Sequence, residues 1–165
     1  MKRFLTAFFV FIALLGFSQD GTYDFIRKNY AKANKDSALC ANILKRLKNA
    51  SASDPTMSCY KGAVTAAMAN HIKDKAEKLK LFKEGKNLIE AAITTDKNNP
   101  ELRVLRMSIQ ENCPKVLGYN NEVENDKDFI IANLSSVKNQ AEKKMIIDYL
   151  LQSPSMTVDE KKKLK

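Results

Sequence analysis

The chain of 165 residues lacks the sequence features that mark β structure and the common enzyme classes. It has only five glycines and four prolines, no Asn-Gly hairpin turn and no sustained alternation of apolar and polar residues, which argues against a sheet-based fold. It also has no His-Glu-x-x-His zinc motif, no glycine-rich phosphate loop and no EF-hand pattern. We therefore predict no cofactor, no metal site and no catalytic residue, and we favour a binding role over an enzymatic one.

Long apolar runs are also absent, except at the N-terminus. Residues 1–18 read MKRFLTAFFVFIALLGFS, in which two basic residues precede an apolar stretch from Leu5 to Phe17 and small residues follow, the order found in a secretory signal peptide. This stretch is shorter than the ~20 residues that span a bilayer. We expect cleavage after Ser18, export to the periplasm or the medium, and no transmembrane segment in the mature chain.

The expected mature chain, residues 19–165, is basic. Loss of the two basic residues in the signal peptide lowers the formal net charge from +9 to +7. Basic charge favours nucleic acid, an anionic surface or an acidic partner, but export argues against nucleic acid. The lysines are interleaved with Asp and Glu, as on a solvated face. We expect a protein or peptide partner in the cell envelope, and a basic surface for anionic polymers or lipids is a further hypothesis.

Apolar residues recur at helical spacing through the mature chain, and a chain of this length can bury about 70% of its unfolded surface as one domain. Residues 22–48 predict one kinked helix or two. Asp54 and Pro55 predict the cap and first position of a helix that is apolar or small nearly all round, which is typical of a central helix. The predicted fold is an all-α, single-domain bundle of about six to seven helices.

Two further signals fix the ends of later helices. Asn99 and Pro100 predict the start of a helix that Pro114 ends. Thr157 and Glu160 have the spacing of a capping box for a short final helix.

Residues 91–103, AAITTDKNNPELR, resemble the end of one tetratricopeptide repeat and the start of the next. Those repeats place a small residue near the end of their second helix, before an Asn- and Pro-containing turn. Ala92 falls on that position, Gly85 falls on a second small position seven residues earlier, and Gly62 takes the glycine position of the first helix. The resemblance implies a helix-turn-helix core over about residues 55–135 that binds a protein or peptide.

The region from about Cys59 to Leu134 also resembles a group of uncharacterised exported helical proteins of flavobacteria and their relatives. Its most distinctive piece is LRVLRMSIQENCPKVLGY, followed by the acidic NNEVENDKDF. This resemblance implies an exported helical protein and brings no catalytic residue.

Two arginines stand one helical turn apart in a chain whose other basic residues are mostly lysine. At about 100° per residue, Arg103, Arg106 and Gln110 form one polar edge beside the apolar stripe of their helix. A guanidinium group can hold a carboxylate with two hydrogen bonds, whereas an ammonium group cannot.

The partner of these arginines has two interpretations. It is internal if the acidic residues that follow fold back onto the edge: Glu122, Glu124, Asp126 and Asp128. Alternatively, the edge with Tyr119 as a wall forms a site for an acidic partner, or a small-ligand or enzyme site between helices near Arg103, Arg106 and Tyr119.

The three cysteines lie in apolar helical patterns, where thiols most often behave as small buried hydrophobes. Because an exported chain is in an oxidising compartment, one disulfide is an alternative, and Cys40 to Cys59 is the nearest pair in sequence. A zinc site from Cys40, Cys59, Cys113 and the single histidine, His71, lacks the close paired ligand spacing that usually marks one. His71 is interpreted as a partner of a helix C-terminus.

Overall fold

The computed structural model describes residues 14–48 and 53–164. Residues 1–13 of the predicted signal peptide lie outside the described residues, so cleavage after Ser18 stays a prediction. None of the helices in the described ranges is long and apolar enough to cross a membrane.

Across the described residues the chain forms eight α-helices and no strand, which confirms the predicted all-α, single-domain fold. The structure has one helix more than the upper predicted number, because Asp36 caps a new helix within residues 22–48. The helices are α1 (Leu14–Ala33), α2 (Ser37–Leu47), α3 (Pro55–Met68), α4 (Lys75–Thr95), α5 (Pro100–Glu111), α6 (Val123–Asn133), α7 (Gln140–Gln152) and α8 (Val158–Lys162).

The predicted helix starts are confirmed by side-chain caps. The carboxylate of Asp54 accepts the backbone N–H groups of Thr56 and Met57 at 3.0 and 3.1 Å. Asn99 accepts the N–H of Glu101 at 3.0 Å, and Thr157 with Glu160 forms a complete capping box. Each cap satisfies donors that the first helical turn leaves without a partner.

Helices α1 to α5 contribute to the larger apolar cluster of the protein, which we call the first core. Helix α3 lies at its centre, as the composition of this helix predicts. It packs against α1, α2, α4 and α5, and its small residues let α4 approach closely. A Cβ built on Gly62 would lie 2.6 Å from the carbonyl oxygen of Gly85, and one built on Gly85 would lie 2.4 Å from that of Gly62. The two backbones therefore touch at this crossing.

Helix α5 joins the first core to a second one. Leu102 and Leu105 pack into the first core, whereas Val104 and Met107 pack with α6 and α7. Because α5 has apolar contacts on two sides, the polar side chains on the strip between them are buried inside the protein. Arg106 and Gln110 are in that strip.

Candidate functional site

Arg106 is buried against Asp126, and the two form a bidentate ion pair. Nε and Nη2 of Arg106 donate to the two carboxylate oxygens of Asp126 at 2.7 Å each. Arg106 is 5% exposed and Asp126 is fully buried. A third hydrogen bond joins Nη1 of Arg106 to Oε2 of Glu90 at 3.0 Å. The guanidinium group thus links α5 to α6 and α4.

The environment of Arg106 keeps it charged. Burial acts to lower the pKa of Arg106, but the hydrogen bond and negative charge of Asp126, with those of Glu90, outweigh burial and raise this pKa. A buried ion pair of this kind is costly to break from one side, because the remaining charge loses its bidentate partner and keeps only a single hydrogen bond, to Glu90 for Arg106 or from Arg103 for Asp126.

Arg103 reaches the same carboxylate from one turn earlier. Its Nη1 donates to Asp126 at 3.2 Å, its Nη2 donates to the carbonyl of Lys97 at 3.4 Å, and its guanidinium lies 5.0 Å from the ring centroid of Phe129. Nε of Arg103 is buried without a hydrogen-bond partner. Both arginines therefore bind an internal carboxylate, which is the first of the two interpretations drawn from the sequence.

The acidic segment contributes unequally to this network. Asp126 carries the pairing, and Glu122 approaches Arg106 only to 3.9 Å. Glu124 pairs with Lys127 instead, at 2.6 Å. An acidic ligand could reach the guanidinium group of Arg106 only by displacing Asp126 or Glu90, whereas the side chain of Arg103 is 20% exposed.

Tyr119 joins the network through Glu90. Its hydroxyl donates to Oε1 of Glu90 at 2.6 Å, and its ring packs edge-on against Phe82 with centroids 5.8 Å apart. Burial and the hydrogen bond to Glu90 raise the pKa of Tyr119, so the hydroxyl remains a donor. Glu90 accepts hydrogen bonds from both Tyr119 and Arg106, yet the sequence analysis did not identify Glu90 as part of the site. The only signal was its position beside Ile89 and Ala92 on the packed side of α4.

These contacts fix the connection between α5 and α6, residues 112–122, which we call the α5–α6 loop. Asp126 holds the start of α6 to α5, and Tyr119 holds the loop to α4. Gly118 ends a short turn at φ +59°, a left-handed conformation that favours glycine. Between these fixed points the loop presents Val116, which is 91% exposed.

A cleft of about 340 Å³ opens beside this loop. Its walls come from the end of α5, the α5–α6 loop, the start of α6 and the connection between α7 and α8. Polar and apolar surface contribute about equally to its lining, which includes Gln110, Glu111, Cys113, Lys115, Glu124 and Ser155.

Two polar side chains at the end of α5, those of Gln110 and Glu111, line the cleft. Gln110 is 3% exposed, and its Oε1 is buried without a hydrogen-bond partner. Glu111 accepts hydrogen bonds from the hydroxyls of Tyr149 and Ser153. Burial, together with the hydrogen bond to Glu111, raises the pKa of Tyr149, so this hydroxyl also stays protonated.

The cysteines lie apart from this chemistry, with one exception. Cys40 and Cys59 are buried free thiols that donate to the carbonyls of Ala33 at 3.0 Å and Leu102 at 3.9 Å. Burial raises the pKa of Cys40 to about 11 and that of Cys59 well above its usual value. Cys113 is half-buried at the cleft, where burial also raises its pKa.

His71 lies in the short turn after α3, and its Nε2 is buried without a hydrogen-bond partner. In the part of the chain that the structure describes, no group of three or more His, Cys, Asp or Glu side chains is placed to hold a metal ion.

The structure thus divides the four predicted site residues, the three of the polar edge and Tyr119. Arg103, Arg106 and Tyr119 share one buried network with Asp126 and Glu90, whereas Gln110 lines the neighbouring cleft. Comparison with protein-family models, with curated proteins and with solved structures found no match to the chain.

Proposed function

We propose that the chain is an exported, non-catalytic interaction module that binds a protein or peptide partner in the cell envelope. The α5–α6 loop and the cleft beside it are the binding surface. The observation that carries this proposal is Val116, an apolar side chain 91% exposed on a loop that buried ion pairs and a buried tyrosine hold in place.

A fixed loop is suited to binding because its conformational entropy is already lost before the partner arrives. Exposed apolar side chains are common and carry little meaning singly. Val116 differs because the preceding residue, Lys115, lines an open cleft, so a partner that covers the valine can also enter the cleft.

We further propose that the core from α3 to α5 is tetratricopeptide-like. Gly62 and Gly85 support this proposal, because the two small positions of the repeat face each other across the α3–α4 crossing. Ala92, the third small position, is 3% exposed in the same core. In this arrangement α3 and α4 are the rigid support, and the loop that follows α5 provides the contact surface.

The experiment is an affinity purification from envelope extract with tagged residues 19–165. Wild type is compared with Val116→Asp and with the matched control Val158→Asp, which changes a valine 71% exposed on α8. Melting temperatures are recorded for all three. A tag-only sample defines background.

We expect wild type and Val158→Asp to retain the same partner and Val116→Asp to lose it with an unchanged melting temperature. Recovery of nothing above background, or equal recovery by both variants, would contradict the proposed binding surface.

A further inference from the structure

We infer that the partner presents an acidic segment, with carboxylate side chains beside an apolar one, to one side of helix α4. This side consists of Lys75, Leu79, Lys83 and Lys86, and we call it the α4 flank. The inference rests on the proposed function and specifies the chemistry of the partner. It extends the binding surface from the α5–α6 loop along α4.

The α4 flank is a row of basic side chains with an apolar one among them. Its members follow one another at spacings of four, four and three residues, so at ~100° and ~1.5 Å per residue they lie within about 80° of one another over about 16 Å of helix. Lys75 and Lys83 are exposed, and between them Leu79 is 39% exposed. The row therefore offers positive charge and apolar surface together.

The acidic residues of α4 lie away from this row or are already bound. Glu77 and Glu84 are about 140–160° around the helix from the middle of the row. Glu77 pairs there with Lys80 at 3.6 Å. Glu90 continues the row, but its two oxygens accept hydrogen bonds within the buried network. Among the described residues, none forms an ion pair with the lysines of the α4 flank, so their charges are free for a partner.

The α4 flank adjoins the α5–α6 loop at Lys86. Nζ of Lys86 lies 4.9 Å from the ring centroid of Tyr119, and Phe82 of α4 packs against the same ring. The loop adds a further exposed lysine, Lys115, directly before Val116. A segment that covers the exposed valine can thus continue along α4 over a surface of the same charge.

An acidic segment of a protein fits this surface better than an anionic membrane. Carboxylates of the segment would face unpaired ammonium groups, which gives the charge complementarity that guides association and selects partners. Its apolar side chains would cover Leu79 and Val116, two of the three large apolar side chains that the described residues expose. A flat bilayer that covered Val116 would also meet the start of α6, where Glu122 and Glu124 are 46% and 71% exposed. A narrow segment along α4 avoids these negative charges.

The test is an NMR titration of isotope-labelled residues 19–165 with three blocked peptides, Ac-X-X-Leu-X-X-NH₂, in which X is Glu, Gln or Lys. We expect the Glu peptide to shift the amide signals of residues 75–86 and 115–119, and the Gln and Lys peptides to leave them unchanged. Binding of the Glu peptide should weaken as salt is raised, because exposed charges are screened.

Two double variants with the same change in net charge locate the binding. Lys75→Gln with Lys83→Gln should weaken binding of the Glu peptide by about fivefold, since two exposed ion pairs are lost. Lys28→Gln with Lys32→Gln is the matched control, because these lysines are also exposed on a helix, α1, and should leave binding unchanged. All four lysines are exposed, so we expect both variants to keep the melting temperature of wild type.

Equal shifts with the Gln or Lys peptide, or equal affinity of the two double variants for the Glu peptide, would overturn the inference. Sedimentation with vesicles of phosphatidylcholine and phosphatidylglycerol in equal parts, without binding of the Glu peptide, would also overturn it and assign the row to a lipid surface. If a partner is still lost with Val116→Asp, the proposed function stands and only the acidic chemistry fails. If no partner depends on Val116 either, both proposals fail.

Discussion

At the scale of single residues, the protein is held together by carboxylates buried with their donors. Glu101, in the first turn of α5, is 1% exposed and accepts two hydrogen bonds from Arg27 of α1 at 2.7 Å each. Tyr60 of α3 adds a third at 2.7 Å. One carboxylate thus joins three helices, although its sequence position indicates only a favourable charge near a helix N-terminus.

Replacement of Glu101 by Gln should therefore destabilise the protein strongly. The amide cannot neutralise the guanidinium of Arg27, which would keep only Glu142, at 3.6 Å, so we expect a loss of about 3 kcal/mol in the free energy of unfolding. Urea denaturation followed by circular dichroism measures this loss. The exposed Glu84→Gln is the control and should change stability by less than about 0.5 kcal/mol; equal effects of the two changes would contradict the role of Glu101.

The state of the cysteines gives a second prediction. We expect all three to be reduced in the purified protein, so alkylation after denaturation without reductant should add three groups by intact mass. In the folded protein at pH 8 only Cys113 should react, because a thiol with a pKa of about 11, that of Cys40, is roughly one-thousandth ionised at this pH. A gain of one group instead of three would show a disulfide, with Cys40 to Cys59 the first pair to test.

Residue types and their spacing predicted the polar edge of Arg103, Arg106 and Gln110. They predicted only some of the residues that contact this edge. Four of the five tyrosines donate to carboxylates, and these pairs are 29 to 41 residues apart in sequence. Local spacing does not encode such distances. Asp126 was one of four acidic candidates, and only the orientation of α6 against α5 selects it.

At the scale of helices, the α3–α4 crossing depends on two glycines. Replacement of Gly85 by Ala should improve helix propensity by about 1 kcal/mol. The added Cβ would lie 2.4 Å from the carbonyl of Gly62 and 2.6 Å from the backbone nitrogen of Ala66, so the helices must separate. We expect a net loss of about 1–3 kcal/mol in the free energy of unfolding, measured by urea denaturation.

Gly21 offers a matched control for this substitution. It also lies in a helix, α1, but a Cβ there meets nothing within 4 Å. Gly21→Ala should leave the free energy of unfolding unchanged or raise it by up to about 1 kcal/mol. A stabilising effect at Gly85 similar to that at Gly21 would show that the helices are not in backbone contact.

Helix boundaries were predictable because caps and prolines are local signals. Asp54, Asn99 and Thr157 each satisfy backbone donors within three residues of themselves. The division of α1 from α2 was left open, because residues 34–36 carry no proline or glycine to end the first helix. Here Asp36 sets the boundary by accepting the N–H of Leu39 at 3.0 Å.

At the scale of the whole molecule, export is the claim that most affects function. Cleavage after Ser18 would remove the first turn of α1 and leave Gln19 at the N-terminus, ahead of the buried contacts of Ile26 and Arg27. Expression of the full chain in a bacterial host should yield a mature protein whose N-terminal sequence starts at Gln19. Recovery of a chain that keeps Met1 would contradict export by this route.

The lysines and two of the arginines have different roles in the protein. The lysines are mostly exposed, whereas Arg27 and Arg106 bind buried carboxylates and fix the positions of helices. The arginine edge of α5 thus binds a carboxylate of the protein itself. It holds the α5–α6 loop in the conformation that presents Val116 and the cleft.

Hydrogen exchange of the α5–α6 loop tests this account most directly. Arg106→Lys keeps the charge but removes the bidentate hydrogen bonds to Asp126. Arg46→Lys is the control, the same substitution at an exposed arginine on α2. We predict that amides of residues 112–122 exchange faster in Arg106→Lys, with α2 unchanged, and that Arg46→Lys matches wild type in the loop. Loop exchange at the wild-type rate in Arg106→Lys would contradict the claim that this arginine fixes the binding surface.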